Sequence, residues 1–410
     1  MMKLLLVSHG LPFPPSDGVR ERAYNIAVHL QEEVPVDICC LVKDKKELER
    51  LPQFSAHFHG QLFPVLVQRN IFYKLKILFL TLFSRKPMVL HFYFSKRMRQ
   101  RINDLLKSNH YQWVQFERSF MAQYLEDIFN GQNTKTAINL YDFETVRAYR
   151  IYKSIRNPIK SLFQYIKYQK LKRYELDVFR KADYLFAISK DEKEQILSYA
   201  PELSSKLHIL TGGVDVHYFR YFEELPNERN IVFVGSPMVF NYEALDFFYH
   251  EIFKKLKAVT FHVIGNFDKK QIGYLVQDSN VIVHGYVEDI RPIFGKCAVS
   301  VVPLKNGSGT RLKILDSMAM GRSVISTSIG CEGLQLTNDY HIMIRNEPNS
   351  FAEAIDYLLS SKNANDMMRR RAREYVEQHY SWEKVVEGLR SFYLSTLPSP
   401  QSKVTRAYDV

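Results

Sequence analysis

Residues 301–321 decide the fold, and their sequence is VVPLKNGSGTRLKILDSMAMG. An apolar strand ends at Pro303, a Gly-Ser-Gly loop follows, and a helix is predicted from about Thr310 to Gly321, where a glycine is typical of a helix C-terminus. A glycine loop that enters a helix brings backbone N–H groups close to a bound phosphate, and the helix N-terminus adds about half a positive charge. This stretch therefore predicts an anion site at the carboxyl end of a strand.

The first turn of that helix carries two cations, Arg311 and Lys313. Cations are unfavourable at a helix N-terminus unless an anion lies there. Two of them indicate a diphosphate, which Arg311 can bind with two parallel hydrogen bonds. Asp316, further along the helix, supplies a carboxylate that could accept both hydroxyls of a ribose. The alternative is a helix start with solvated basic residues.

The same order of strand, loop and helix recurs along the chain. A strand over 4–7, a loop rich in Gly and Pro from Gly10 to Gly18, a helix over 20–31 and a strand over 36–42 begin a βαβ unit and hence a parallel sheet. A second series begins at 231–234, beyond turn residues. Further strands are predicted over 113–116, 136–139, 184–188, 261–264, 281–283, 299–302 and 323–326, and a last helix over 381–397.

These elements predict an α/β protein of two Rossmann-like, doubly wound domains that face each other across a cleft. We expect an N-terminal domain over 1–210, a linker over 211–228 and a C-terminal domain over 229–383. The helical part 384–397 is expected to pack back on the first domain, ahead of a polar tail over 398–410. Ligands bind at the carboxyl strand ends of such domains, so the architecture favours an enzyme with two substrates.

Composition and charge narrow the classes of partner. The chain is 46% hydrophobic and 24% charged, which excludes a disordered chain or a coiled coil. Residues 1–210 hold 33 Lys/Arg and 21 Asp/Glu, a net of +12, whereas the rest of the chain is balanced at 23 of each. Residues 51–100 and the aromatic, predicted helical segment 147–181 carry much of this excess. They indicate an anionic membrane surface, with a solvated basic face as the alternative. Nucleic acid is disfavoured because neither zinc spacing nor an aromatic RNA-binding signature accompanies them.

The expected compartment is the cytoplasm, with peripheral contact to the inner face of the membrane. The four cysteines have no ligand-like spacing and indicate reduced thiols. The apolar run at the N-terminus is too short for a signal peptide, and no stretch approaches the ~18 apolar residues of a membrane span.

The segment 307–321, followed by VISTSIGCEGL over 324–334, resembles the donor-binding segment of family 4 glycosyltransferases. FVGS over 233–236 with Asn241, GYVEDIR over 285–291 and GVD over 213–215 match further pieces of that family. The resemblance implies a GT-B fold, a nucleotide-sugar donor with UDP as the default, and transfer with retained anomeric configuration. It implies no cofactor beyond the donor and no metal, and the chain has no D-x-D pair that would hold one.

The resemblance also implies roles for individual residues. Arg311 and Lys313 would hold the diphosphate and stabilise the leaving group, and Asp316 stands where the family usually has a ribose-binding Glu. Ser308 replaces a family Glu, so its sugar contact would pass to backbone amides or to Glu332. Glu117 follows Phe116, where many members have His, and is a candidate sugar or acceptor contact. The expected donor contacts are Gly18, Gly235, Ser236, Gly285, Val287, Ser308, Gly309, Thr310, Arg311, Lys313, Leu315, Asp316 and Glu332, with Arg20 toward the acceptor and Arg311, Lys313 and Glu117 as catalytic residues.

The function that this implies is transfer of a sugar from a nucleoside-diphosphate sugar to a glycan or lipid-linked acceptor in envelope polysaccharide synthesis. Residues 211–215 would serve as the hinge for domain closure. Two alternatives stay open. A catalytically silent relative that binds a partner or glycan is supported by Ser308 and Phe116. A GT-B nucleotide-sugar epimerase is disfavoured by the one-sided charge of the first half.

Overall fold

A computed structural model describes residues 2–15, 17–67, 73, 77, 79–81, 84–127, 134–306 and 311–396. Its first domain is built on a seven-stranded parallel sheet with strand order β3-β2-β1-β4-β5-β6-β7. The strands are β1 (Leu4–Ser8), β2 (Val36–Val42), β3 (Leu62–Leu66), β4 (Trp113–Glu117), β5 (Lys135–Asn139), β6 (Tyr184–Ala187) and β7 (Leu207–Ile209). The helices are α1 (Gly18–Leu30), α2 (Lys45–Leu48), α3 (Leu51–Ser55), α4 (Met88–Tyr93), α5 (Lys96–Ser108), α6 (Glu144–Ser154), α7 (Pro158–Lys181) and α8 (Lys190–Tyr199), with 3-10 turns at Ser119–Asp127 and Pro201–Leu203.

The second domain repeats this plan with a six-stranded parallel sheet in the order β10-β9-β8-β11-β12-β13. Its strands are β8 (Asn230–Val234), β9 (Thr260–Ile264), β10 (Val281–Gly285), β11 (Val299–Val302), β12 (Ser323–Ser326) and β13 (Met343–Ile344). The helices of this part of the chain are α9 (Val239–Phe247), α10 (Gly273–Val276), α11 (Arg291–Gly295), α12 (Leu312–Ala319), α13 (Pro348–Ser360), α14 (Lys362–His379) and α15 (Trp382–Ser395), with a π turn at Phe248–Ile252 and a 3-10 turn at Phe253–Lys255.

Each of the ten predicted strands is present, and 36–42, 299–302 and 323–326 have the predicted bounds. The basic segment 147–181 is predicted to be helical, and it forms two helices, α6 and α7. The second begins at Pro158, since Asn157 caps it and proline is favoured at the first helical position. In the sheets the strand order reverses between β1 and β4 and between β8 and β11. Ligands bind at such switch points, outside the carboxyl ends of the strands.

Two adjacent chain segments join the domains. Val214 of the linker pairs with Ser381 in a parallel bridge, and the indole of Trp382 packs against Gly213, where an added Cβ would lie 2.6 Å from the ring. Beyond this point α15 packs on the N-terminal sheet, where Trp382, Leu389 and Tyr393 share a buried cluster with strand residues such as Leu6. In the described part of the chain, no helix is long and apolar enough to cross a membrane.

Candidate active site

The predicted cation pair lies at the start of α12, next to the end of β8. Lys313 Nζ donates to Asn241 Oδ1 at 3.1 Å and stands 4.9 Å from the centroid of the Phe233 ring. Burial, and then the charge of Arg311, lower the pKa of Lys313 to about 7. Arg311 is itself buried, with its Nη2 3.4 Å from Glu332 Oε2. Two partly desolvated cations on one helical turn form a site that favours a dianionic ligand.

Gly235 and Ser236 position this pair through Asn241. The Asn241 amide donates to the Ser236 carbonyl oxygen at 2.9 Å, which aims its Oδ1 at Lys313. A Cβ at Gly235 would lie 3.0 Å from the Asn241 Cγ and 2.9 Å from the Phe233 ring. Gly235 therefore keeps room for the amide that holds Lys313, which gives the predicted donor residues at this strand end a positioning role.

The N-terminus of α1 faces the N-terminus of α12 across the domain boundary. A Cβ at Gly18 would lie 3.2 Å from Leu312 Cδ1. Asp17 caps α1 by accepting hydrogen bonds from the amides of Val19 and Arg20. Arg20 is turned toward carboxylates of its own domain, 3.2 Å from Glu47 and 3.7 Å from Asp17. Gly18, a predicted donor contact, thus lies at the domain boundary beside the helix that carries Arg311 and Lys313, whereas the Arg20 guanidinium is engaged within the N-terminal domain.

One turn further along the same two helices, Glu21 and Asp316 form an interacting pair of carboxyl groups. Burial, opposed by a hydrogen bond from Trp382 and assisted by the charges of Asp215 and Asp17, raises the pKa of Glu21 to about 7. Burial, followed by the charge of Glu21, holds the pKa of Asp316 well above its usual range. Among the described residues none donates a hydrogen bond to Asp316 Oδ1. Asp316, the predicted ribose-binding residue, therefore keeps a buried acceptor atom available at the domain boundary.

Glu117 lies under the cleft floor rather than in the cleft. Its side chain is fully buried and accepts hydrogen bonds from Gln115 at 2.6 Å, from Asn139 at 3.1 Å and from the Tyr141 hydroxyl. Burial raises the pKa of Glu117, and these donors oppose the shift. Glu117 therefore positions Tyr141, and Tyr141 lines the cleft.

Other predicted donor residues are placed individually. Leu315 is fully buried in the C-terminal core, so its side chain does not reach the cleft. Gly285 ends β10 with a φ of +72°, which favours glycine, and Val287 packs beside that strand end against a small buried cluster. Glu332 lines the cleft beside Arg311. Ser308, Gly309 and Thr310 lie outside the described residues.

Among the cleft residues that were not predicted, three polar ones follow the carboxyl ends of central strands. His9 follows β1, Arg118 follows β4 and Asp142 lies three residues beyond β5. Burial, and then the charge of Arg118, lower the pKa of His9 to about 3, so this imidazole is neutral. Arg118 has a φ of +81°, a left-handed conformation that costs a non-glycine residue about 1–2 kcal/mol. The rule that ligands bind at carboxyl strand ends is the signal that would have found all three.

Asp142 is central because it lines two hollows of the cleft. One contains Gly18, Arg118 and Leu312; the other contains Arg147 and Arg150 of α6 together with Arg311 and Glu332 of the C-terminal domain. Both hollows are walled by both domains, as expected for a site that brings two substrates together. No group of three or more His, Cys, Asp or Glu in the described ranges is placed to hold a metal ion.

Residues 228–361 match the family model described as Glycosyl transferases group 1. This part of the chain is therefore similar to group 1 glycosyl transferases. The match covers the C-terminal sheet and the Arg311 and Lys313 pair. Over its full length the chain is also similar to a protein in the cps region of Klebsiella pneumoniae, with 24% identity over 410 residues, covering 95% of this chain and 99% of that protein.

Solved structures establish the GT-B fold for the whole chain, as predicted. A sucrose-phosphate synthase from Thermosynechococcus elongatus has a TM-score of 0.70 at 14% identity and covers 96% of this chain and 99% of its own. HepE of Anabaena, in complex with UDP and glucose, has a TM-score of 0.68 at 12% identity and covers 97% of this chain and 100% of its own. At these identities the likeness shows the fold alone.

Proposed function

We propose that this chain is a glycosyltransferase of family 4, which moves a sugar from a nucleoside-diphosphate sugar to a glycan or lipid-linked acceptor with retained anomeric configuration. The observation that carries the proposal is the pair Arg311 and Lys313 at the start of α12. Both cations are desolvated, and the hydrogen bond of Lys313 goes to a neutral amide rather than to a carboxylate. A bound diphosphate would place negative charge beside Lys313 and add to the charge that Glu332 already presents to Arg311.

The same pair supports the chemical step. When the bond between the anomeric carbon and the diphosphate oxygen breaks, negative charge develops on the leaving nucleoside diphosphate. Arg311, Lys313 and the amide end of α12 would stabilise that charge in a site shielded from water. The new bond forms between the anomeric carbon and an acceptor hydroxyl, whose proton is lost. We assign no protein nucleophile and no metal to this step.

The nucleotide of the donor and the class of the acceptor are proposed from the similar proteins and from the residues that line the cleft. UDP is the expected nucleotide, since HepE was solved with UDP and glucose and a Staphylococcus aureus TarM variant, with similar fold, was solved with UDP. Similarity to a protein in a cps region supports envelope polysaccharide synthesis. Asp316 would accept the ribose hydroxyls, and the hollow containing Asp142, Arg147 and Arg150 would receive the acceptor.

A thermal-shift panel of UDP, GDP, ADP and CMP with their sugar conjugates tests the donor site. One nucleotide should stabilise the wild type, and Arg311→Ala should lose about 2 kcal/mol or more of its binding energy, because charged hydrogen bonds are removed. Arg291→Ala is the matched control, since this guanidinium pairs with Asp289 on the surface of the same domain. Undiminished affinity in Arg311→Ala would refute the phosphate assignment. Nucleotide binding without any sugar transfer would instead favour a silent relative, and exchange of a sugar stereocentre without acceptor an epimerase.

A further inference from the structure

The hairpin of α6 and α7 is joined firmly to the N-terminal domain at its base. Glu175 of α7 is buried and accepts hydrogen bonds from the Thr145 amide at 2.8 Å and from the Ser119 hydroxyl at 2.7 Å. Leu176 and Phe179 belong to the buried core. The first half of α7 projects beyond this base, and the 24 residues of the helix give it a length of about 36 Å.

The projecting part has an apolar stripe on its outer side. Ile159, Leu162, Phe163 and Ile166 follow the i, i+3, i+4, i+7 spacing of one helix face, yet their exposed fractions are 80%, 61%, 44% and 44%. The inner side of α7 is already occupied, because Tyr165 and Tyr168 contact the rings of Tyr152 and Tyr149 on α6 at 5.3 and 5.4 Å. The stripe is thus an apolar helix face turned to solvent.

The charge around the stripe identifies its occupant. Residues 145–174 contain nine Lys or Arg and no Asp or Glu. A second copy of the chain docking face to face would bring two such surfaces together and be repelled, whereas anionic lipid headgroups are complementary. Lys170 also donates to the Thr81 carbonyl oxygen at 2.9 Å, which brings part of the basic stretch 51–100 beside the same helix.

We propose that the stripe Ile159, Leu162, Phe163 and Ile166 inserts into the boundary between headgroups and acyl chains of an anionic membrane. A helix with an apolar face and a basic surround lies in the interface in this way. The consequence concerns the acceptor. Arg147 and Arg150 lie on α6 and line the cleft, so docking the hairpin places that side of the cleft at headgroup level. This route for a lipid-linked acceptor rests on the proposed function, whereas membrane insertion does not.

Tryptophan fluorescence tests the insertion directly. The chain has two Trp, and both Trp113 and Trp382 are buried, so Phe163→Trp introduces an exposed reporter. Its emission should shift to the blue with vesicles of phosphatidylcholine and phosphatidylglycerol, and doxyl-labelled lipids should quench it. Val276→Trp is the matched control, because Val276 is 49% exposed on the other domain, and it should not respond. A blue shift that depends on protein concentration without vesicles would show a second copy on the stripe and overturn the proposal.

A second variant separates apolar insertion from charge attraction. Replacing all four stripe residues by Ser leaves the charge unchanged and should weaken binding to the anionic vesicles about tenfold or more, because binding strength scales with buried apolar area. The control replaces exposed apolar residues elsewhere by Ser, namely Val276, Tyr357 and Met367. Unchanged vesicle binding by the stripe variant would overturn insertion. The stripe variant should keep the thermal shift that nucleotide gives the wild type. If the wild type itself binds no nucleotide, that result would count against the proposed function and not against membrane insertion.

Discussion

The titration of Lys313 makes nucleotide binding depend on protons in a way that can be measured. In the free protein, burial and the charge of Arg311 lower the pKa of Lys313 to about 7. A diphosphate beside the ammonium would restore the pKa toward its ordinary value of about 10.5. Binding above neutral pH therefore requires the neutral amine to take up a proton. Since the raised pKa belongs to the complex, affinity should be highest at low pH and fall as pH rises through 7.

The magnitude follows from linkage. With pKa values of about 7 in the free protein and about 10.5 in the complex, binding should take up about 0.9 proton at pH 8 and about 0.1 at pH 6. The affinity should fall about tenfold between pH 6 and pH 8. A nucleotide sugar is the suitable ligand, because its diphosphate does not titrate in this range.

Isothermal titration in buffers of different ionisation enthalpy counts the protons. Lys313→Arg keeps a positive charge that does not titrate, so its proton uptake and its pH dependence should largely disappear. Any residual dependence would come from buried carboxyl groups of the cleft whose pKa is also raised, namely Glu21, Asp316 and Glu192. Lys305→Arg repeats the exchange at an exposed lysine of the same domain and should match the wild type. Full pH dependence in Lys313→Arg, or no proton uptake at pH 8 in the wild type, would refute the reasoning.

Three further substitutions test the assigned roles. Glu117→Gln turns an amide group toward three hydrogen-bond donors, so the free energy of unfolding, measured by urea denaturation, should fall by about 1–3 kcal/mol. The variant should keep the kcat of the wild type, and a large loss of kcat would support a catalytic role for Glu117. Gly213→Ala should cost about 1–3 kcal/mol because its Cβ would lie 2.6 Å from Trp382, whereas Gly388→Ala, in open space on α15, should stabilise the protein in the same assay. Arg118→Gly relieves the positive φ and should not lower stability, yet should reduce turnover; full turnover would exclude Arg118 from the site.

The sequence was sufficient for ten strands, among them the edge strand β10, and insufficient for three others. β3, β7 and β13 were not predicted, and each is at or near a sheet edge. β3 contains Pro64, which disfavours a strand, while β7 and β13 have three and two residues, too few for a periodic pattern. Their pairing depends on a neighbouring strand rather than on their own composition.

The same distinction applies to the site. Arg311 and Lys313 could be predicted because the strand, loop and helix that place them are continuous in sequence. The contact of Gly18 with Leu312, and the pairing of Glu21 with Asp316, join residues almost 300 positions apart and arise only when the domains meet. Glu117 was placed in the site from the family resemblance, but donors from its own and the neighbouring strand and from Tyr141 surround it.

The linker contacts limit where the domains can rotate. Arg369 donates to the carbonyl oxygens of Phe222 and Glu223, and Arg373 donates to those of Val216 and Phe219, so the linker is bound to the C-terminal domain from Val216 to Glu223. On the other side, α15 is packed into the N-terminal domain. We infer that rotation is confined to two adjacent connections, 211–215 and 380–382, which the pairing of Val214 with Ser381 joins into one hinge. Opening there would part α1 from α12 and expose the diphosphate site and the Glu21 and Asp316 pair together.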